Sequence, residues 1–128
     1  MIKKILVIDD SPIAKKILCN CLPSDRSFEI IEANDGDSGV KLFIESNPDL
    51  TFTDLMMPVM DGVQALQKIK EISKDALIVV CSADIQPKSI ERIMELGAFT
   101  MIKKPPSREI LADLFSKLEP NNESTEIP

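Results

Sequence analysis

The sequence predicts an α/β fold in which five parallel strands form one open, doubly wound sheet with five helices. Short apolar runs alternate five times with segments of helical periodicity within 128 residues. The first run, Ile5–Ile8, is β-branched and uninterrupted, as in a strand that is buried on both faces. Five strand–helix units are too few for an eight-unit barrel, and short connections favour right-handed crossovers between parallel strands.

The first half of the chain is predicted to hold three strands and two helices. Ser11 and Pro12 begin the first helix, because serine is a preferred N-cap and proline fits the first helical turn. The second strand covers residues 28–32 and the third covers residues 50–53. The apolar residues that mark these two helices, and are expected to face inward, are Ile13, Ala14, Ile17, Leu18, Cys21, Val40, Phe43 and Ile44.

The second half continues the same alternation. Gly62 lies at the start of the third helix, and the most apolar strand covers residues 76–81. Gly97 ends the fourth helix, residues 99–102 form the fifth strand, and Ser107 caps the last helix. The apolar residues expected on the inner faces of these three helices are Val63, Leu66, Ile69, Ile72, Ile90, Ile93, Met94, Ile110, Leu111, Leu114, Phe115 and Leu118.

Composition excludes several classes of function. The 15 basic and 21 acidic residues give a net charge of −6, without the basic stripe of a nucleic-acid-binding domain. No apolar run approaches the roughly 20 residues of a membrane-spanning helix, and no secretory signal is apparent, so we expect a cytoplasmic protein without membrane insertion. The absence of histidine excludes Ser-His-Asp and Cys-His catalysis on this chain.

Length and cysteine content define the expected organisation. Residues 1–118 are predicted to form one domain, and residues 119–128, with Ile127 as their one apolar residue, a disordered tail. The three cysteines are an odd number, and in a reducing compartment they are expected to fill the core rather than to form disulfides or bind a metal.

Polar residues stand where the predicted strands end. Asp9 and Asp10 follow the first strand, Asp54 follows the third, and Ser82 and Lys104 come at the ends of the fourth and fifth. Functional groups of open α/β sheets gather at this edge. If the first and third strands are neighbours, three carboxylates meet there, and each pair at about 4 Å costs on the order of 1–4 kcal/mol.

A cation would offset this repulsion. Mg²⁺ is the usual hard cation where carboxylates and phosphate bind together. Ser82 could then hydrogen-bond one phosphoryl oxygen, and Lys104 could neutralise another. A carboxylate that faces a phosphate donor in such a setting is a nucleophile, and its product is an acyl phosphate.

Together these residues resemble the receiver domain of two-component response regulators, over residues 3–118. The resemblance is carried by residues 5–11 (Ile-Leu-Val-Ile-Asp-Asp-Ser), residues 54–62 (Asp-Leu-Met-Met-Pro-Val-Met-Asp-Gly), Ser82-Ala83 and Lys104-Pro105. All four motifs occur in order at the expected strand ends. The resemblance implies a flavodoxin-like sheet with strand order 2-1-3-4-5.

The resemblance also implies a role for each matching position. Asp54 is the expected phosphoacceptor, Ser82 the switch hydroxyl and Lys104 the cation that contacts the phosphoryl group. Lys104 is preferred to Lys103 because Pro105 follows it, and the bond to that proline is often cis in the family. The expected ligands of Mg²⁺ are the carboxylates of Asp9, Asp10 and Asp54 and the backbone carbonyl of Met56.

The chain departs from the family pattern at three places. Met101 stands where the family often has an aromatic switch residue on the fifth strand. Pro106 replaces the common aromatic or aliphatic residue after the lysine-proline pair. Met56 and Asp84 occupy the two positions that tune the access of water to the phosphoryl group in this family.

The implied function is that of a stand-alone response regulator. A histidine kinase, or a small phosphodonor, phosphorylates Asp54, and the surface of the fourth helix, fifth strand and fifth helix then binds a downstream protein. The domain catalyses its own phosphotransfer and dephosphorylation without turning over an outside substrate. A phosphatase is a further expected partner, chemotaxis an expected pathway, and the state a monomer or a phosphorylation-dependent dimer. No DNA-binding segment follows residue 118, so no direct contact with nucleic acid is expected.

Three other functions fit the sequence less well. A Mg²⁺-dependent aspartyl-phosphate phosphatase of the haloacid dehalogenase type needs an acid two residues after its nucleophile, where this chain has Ser11 or Pro12. A flavin phosphate would be repelled by Asp9 and Asp10. A phosphorylation-independent interaction module predicts the loss of a site residue, but all the matching positions are filled.

Overall fold

Five strands and five helices alternate in the part of the chain that the computed structural model describes, residues 1–55, 62–83 and 86–119. No helix among those residues is long and apolar enough to cross a membrane. The elements in chain order are β1 (Lys4–Ile8), α1 (Pro12–Asn20), β2 (Glu29–Ala33), α2 (Gly36–Ser46), β3 (Leu50–Thr53), α3 (Gly62–Ile72), β4 (Ile78–Ser82), α4 (Pro87–Glu95), β5 (Thr100–Lys103) and α5 (Arg108–Leu118).

The strands form one parallel sheet with the order β2-β1-β3-β4-β5, which confirms the predicted fold class and strand order. The register pairs Ile8 of β1 with Thr53 of β3. The chain therefore leaves both strands at the same height, and the amide of Asp54 donates to the carbonyl of Ile8 at 3.0 Å. At the other side of the sheet, the amide of Lys104 donates to the carbonyl of Ser82 at 2.9 Å.

Alternate residues of the strands pack into two apolar layers, one on each face of the sheet. Ile5 and Val7 face α1 and α5, whereas Leu6 and Ile8 face α2, α3 and α4. Apart from Lys4, the residues of β1 and β3 are almost wholly inaccessible to solvent. Burial on both faces explains why these strands read as continuous apolar runs rather than as alternating ones.

Three predicted helix caps are present, two of which place the ends of the helices nearest the site. The hydroxyl of Ser11 accepts from the amide of Ala14 at 3.1 Å at the start of α1. The hydroxyl of Ser107 accepts from the amide of Ile110 at 3.2 Å at the start of α5. Gly97, with φ of 103°, follows α4 in the left-handed region that favours glycine.

The inner face of α1 was predicted wrongly at two positions. Ile13 is 72% exposed and Ile17 is also exposed, whereas Leu18 and, unexpectedly, Lys15 are buried. The buried amine of Lys15 donates to the side-chain oxygen of Asn34. This contact satisfies a charged group that an amphipathicity argument assigns to the solvent face.

The other helices show the same kind of deviation at their edges. One residue of each predicted apolar stripe, or two in α4, is exposed because only the centre of the stripe faces the sheet. The central residues, such as Phe43 of α2, Ile69 of α3 and Ile93 of α4, are buried as predicted. The exposed residues are Ile44, Ile72, Ile90, Met94 and Ile110.

Glu119 closes the amino end of the sheet, opposite the end that carries the acidic residues. Its carboxylate accepts from the guanidinium of Arg26 and from the amide of Ile2, each at 2.6 Å. Arg26 also lies over the rings of Phe28 and Phe115, at 4.9 and 5.3 Å from their centroids. Burial alone would raise the pKa of Glu119, but the Arg26 hydrogen bond lowers it overall. Residues 120–128 of the predicted tail lie outside the described residues.

Thr51 provides a test of the packing of β3. It is fully buried and its hydroxyl has no hydrogen-bond partner, so it bears a desolvation cost without compensation. We expect Thr51→Val, which keeps the shape of the side chain, to raise the free energy of unfolding by about 1 kcal/mol. Urea denaturation measures this change.

Thr53→Val is the matched control for this prediction. The hydroxyl of Thr53 lies on the same strand and donates to the carbonyl of Asp54 at 3.2 Å. Removing it leaves that bond unmade, so no gain is expected. An equal gain in both variants would show that apolarity or strand propensity, rather than the unpaired hydroxyl, is responsible.

Candidate functional site

Three carboxylates converge at the carboxyl edge of the sheet, as the sequence predicts for neighbouring first and third strands. One oxygen from each of Asp9, Asp10 and Asp54 lies within 4.8 Å of the others. Asp9 and Asp54 are buried, with exposed fractions of 5% and 8%, whereas Asp10 is exposed. Solvent therefore reaches the cluster from the side of Asp10.

Backbone amides fix the two buried carboxylates. Oδ1 of Asp9 accepts from the amide of Ser11 at 2.9 Å, in a turn that leads into α1. Oδ1 of Asp54 accepts from the amide of Leu55, also at 2.9 Å. In each residue the other oxygen, Oδ2, faces a lysine.

That lysine is Lys104, which follows β5. Its Nζ lies 2.8 Å from Oδ2 of Asp9 and 3.3 Å from Oδ2 of Asp54. The peptide bond between Lys104 and Pro105 is cis. Lys103, the alternative that the sequence offers, is exposed on β5. The structure thus places Lys104, and not Lys103, at the acidic cluster.

The charges of this cluster shift two pKa values upward. Burial raises the pKa of Asp54, and the charge of Asp9 raises it further, although Lys104 acts in the opposite direction. Burial alone would lower the pKa of Lys104, but the hydrogen bond to Asp9 and the charge of Asp54 outweigh it and the pKa is raised. Lys104 is therefore cationic at neutral pH.

Of the remaining residues that the sequence predicts at the site, the structure describes only Ser82. Ser82 is buried at the end of β4, between the strand that leads to Asp54 and the strand that leads to Lys104. Its carbonyl accepts the amide of Lys104. Met56, the predicted carbonyl ligand, and Asp84 lie outside the described residues.

The donor set of the cluster suits a hard divalent cation. Three carboxylates offer only oxygen ligands, and Lys104 balances fewer charges than they carry. Mg²⁺ prefers such ligands and retains water on its open positions, which the exposure of Asp10 permits. The residues present therefore fit Mg²⁺.

An apolar pocket of about 80 Å³ adjoins the cluster. It lies between α1 and the connection from β5 to α5. Cys81 lines it, and burial raises the pKa of this thiol to about 12, so the thiol is protonated and a poor nucleophile at neutral pH. The residues around the pocket are Asp9, Ala14, Ile17, Leu18, Cys81, Lys104, Pro105 and Pro106.

The chain matches one family of known proteins over most of its length. The family model of the response regulator receiver domain matches residues 5–116. The chain belongs to this family. Receiver domains bind Mg²⁺ at an acidic pocket, and the cluster of Asp9, Asp10 and Asp54 is the corresponding feature of this one.

Known receiver proteins cover nearly the whole chain. The chemotaxis protein CheY of Halobacterium salinarum is 33% identical over 117 residues, which are 91% of this chain and 96% of that protein. CheY of Bacillus subtilis is also 33% identical, over 91% of this chain and 98% of its own. The solved CheX-CheY-BeF3-Mg complex of Borrelia burgdorferi contains a chain with a TM-score of 0.85 and 29% identity, covering 91% of this chain and 88% of that one. The receiver domain thus matches CheY-like proteins in both sequence and fold.

Sequence reasoning missed two contacts of the site. The hydrogen bond from Ser11 to Asp9 could have been read from the Asp9-Asp10-Ser11 turn, since Asp commonly accepts from the amide two residues on. The pairing of Lys104 with Asp9 joins residues 95 positions apart and had no local signal.

Metal binding provides a test of the acidic cluster. We expect Mg²⁺ to stabilise the receiver domain, by about 2.7 kcal/mol at 100 times its dissociation constant, because the folded state alone brings the ligands together. Asp10→Ala should weaken Mg²⁺ affinity about tenfold or more, and calorimetric titration measures it. Asp75→Ala, at an exposed acid in the turn before β4, is the control. Equal affinities in the two variants would contradict a ligand role for Asp10.

Removal of Lys104 tests the balance of charge. In Lys104→Met the carboxylates of Asp9 and Asp54 lose their cation. We expect a loss of about 1–3 kcal/mol in unfolding free energy at pH 7, less than for a fully buried pair because Lys104 is 23% exposed.

The pH dependence of this loss has a defined sign. Burial already raises the pKa of Asp54, and without Lys104, which lowers it, this pKa rises further, so the penalty is present at neutral pH. It should shrink as the pH falls through the folded-state pKa of Asp54, because protonation of this carboxyl removes a repelling charge. Urea denaturation from pH 7 to pH 4 measures it, with the exposed Lys103→Met as control. A loss that is independent of pH would show that packing, not charge, is responsible.

Proposed function

We propose that this receiver domain belongs to a two-component response regulator and accepts a phosphoryl group on Asp54 from a histidine kinase. The observation that carries the proposal is the position of Oδ2 of Asp54, 3.3 Å from the ammonium of Lys104 and beside the carboxylates of Asp9 and Asp10. A phosphoryl group that arrives there meets a nucleophile, a cation and metal ligands together. Similarity to CheY over almost the whole chain supports the same reading.

The transfer requires little reorganisation of these residues. A carboxylate oxygen of Asp54 donates an electron pair to phosphorus, and the bond between phosphorus and the donor's imidazole nitrogen breaks. The leaving nitrogen keeps the bonding pair, and no electron acceptor is needed. The Leu55 amide holds one oxygen of Asp54, which fixes the plane of the carboxylate for attack.

The surrounding groups neutralise the transferred charge. Lys104 is placed to contact one phosphoryl oxygen, and the hydroxyl of Ser82 is proposed to contact another. Asp9, Asp10, Asp54 and the backbone carbonyl of Met56 are the proposed ligands of Mg²⁺. When bound, Mg²⁺ supplies positive charge that reduces the repulsion between the carboxylates and the phosphoryl group.

The same residues link the site to the proposed output surface, formed by α4, β5 and α5. Ser82 ends β4 and Lys104 follows β5, so new contacts to a phosphoryl group pull on both strands. Phosphorylation adds a charge of about −1.5 to −2. Met101 is half-buried on β5 beside a cavity of about 150 Å³ that Ile110 of α5 also lines. A flexible methionine here takes the place of an aromatic switch residue.

Exposed apolar side chains mark two surfaces for protein partners. Ile90 and Met94 of α4 and Ile110 of α5 are exposed on the proposed output surface, where a downstream protein would bind. Ile13 and Ile17 of α1 are exposed beside the site, within reach of a donor or phosphatase that must approach Asp54. The solved Borrelia relative is a complex of CheY with CheX, which supports a protein partner.

The proposal also includes a cellular compartment, an oligomeric state and a pathway. Three free cysteines suit a reducing compartment, the cytoplasm, where histidine kinases act on response regulators. The domain works as a monomer or dimerises on phosphorylation, and a chemotaxis pathway is favoured by the CheY relatives. It catalyses its own phosphotransfer and dephosphorylation rather than turnover of an outside substrate.

Labelling with acetyl phosphate tests the proposal. We expect the intact mass to increase by one phosphoryl group when Mg²⁺ is present, and no increase in Asp54→Asn, because the amide cannot act as the nucleophile. Asp75→Asn, at an exposed acid outside the cluster, should label like the unmodified protein. Labelling of Asp54→Asn at an unchanged rate would move the acceptor elsewhere.

A further inference from the structure

Gly62, the first residue of α3, packs directly against the backbone that follows Asp54. A Cβ atom at this position would lie 1.9 Å from the carbonyl oxygen of Asp54, and 2.7 Å from the Cα atom of Leu55. Carbon atoms in normal contact are about 3.5–4.0 Å apart. Both obstructing atoms belong to the main chain, so no rotation of a side chain relieves the overlap.

The peptide group that Gly62 contacts also orients the proposed acceptor. Its carbonyl belongs to Asp54 and its amide to Leu55, and this amide donates to Oδ1 of the Asp54 carboxylate at 2.9 Å. The amide of Gly62 in turn donates to the carbonyl of Leu55, also at 2.9 Å. One rigid peptide plane therefore connects the start of α3 to the orientation of the carboxylate.

We propose that Gly62 is a positioning residue for phosphoryl acceptance, and this inference rests on the proposed function of Asp54. The missing side chain allows α3 to hold the Asp54–Leu55 peptide plane in place. Any side chain at position 62 displaces that plane, and the Leu55 amide moves the carboxylate with it. Binding of Mg²⁺ and donor depends on further groups, so the maximal rate of phosphorylation should fall more than donor affinity.

Gly39 offers a matched control. It lies in α2, on the same face of the sheet, and a Cβ there would also be too close to its neighbour, at 2.5 Å. That neighbour is the side chain of Ile8, whose Cδ1, Cγ1 and Cγ2 would lie at 2.5, 2.8 and 3.0 Å, so a shift of side-chain rather than main-chain atoms relieves the overlap. Ile8 precedes Asp9, which makes the control sensitive to general disturbance near the site.

The test compares Gly62→Ala and Gly39→Ala in the full chain. Each is incubated with acetyl phosphate at saturating Mg²⁺, and the rate of Asp54 labelling is followed by intact mass over a range of donor concentrations. We expect the maximal rate constant to fall about tenfold or more in Gly62→Ala and to stay within about twofold in Gly39→Ala, since small misplacements of reacting groups are costly. The donor concentration at half-maximal rate should change little in either.

Stability is controlled in the same experiment. Circular dichroism and urea denaturation give the folded fraction of each variant, and rates are expressed per folded molecule. If Gly62→Ala is too unstable alone, both substitutions are compared in the Thr51→Val background, which is expected to be more stable. Equal maximal rates per folded molecule in the two variants would overturn the proposal.

A second measurement does not depend on labelling. In nuclear magnetic resonance spectra, the chemical shift of the Leu55 amide proton reports its hydrogen bond to Asp54. This chemical shift should change in Gly62→Ala, but not in Gly39→Ala. If the unmodified protein is not labelled on Asp54, the proposed function fails, and this shift still decides whether Gly62 orients the carboxylate. An unchanged shift in Gly62→Ala would overturn the positioning role.

Discussion

The balance between three carboxylates and one lysine at the carboxyl edge of the sheet is the constraint on which the rest of the structure depends. β1 and β3 are neighbours with aligned ends, so Asp9 and Asp54 must lie side by side. Lys104 follows β5, an outer strand of the sheet, and offsets part of their repulsion. The charge balance of the site therefore includes a group at the end of β5.

The two ends of the sheet are held by different groups. At the end away from the site, Glu119 joins Arg26 and the amide of Ile2, and two aromatic rings pack against the guanidinium. At the site end, the ion pairs of Lys104 with Asp9 and Asp54 join distant segments beside the exposed carboxylate of Asp10.

Much of the fold could be predicted because local patterns and global topology agree. Continuous apolar runs indicated strands buried on both faces, and Ser11 and Ser107 indicated helix starts that their hydroxyls indeed cap. The inner face of α1 could not be predicted, because Lys15 is buried through a contact with Asn34 of a different segment. Periodicity describes one helix at a time and carries no information about such a partner.

The sequence by itself determined the fold class, the strand order through a family resemblance, and which residue types stand at each strand end. Those properties depend on short-range periodicity and on motifs that are contiguous in the chain. The tertiary structure decided what those residues contact: that Lys104 pairs with Asp9 as well as Asp54, and that Gly62 touches the peptide that follows Asp54. Distances between segments far apart in the chain depend on how helices pack on the sheet, and no local pattern specifies that packing.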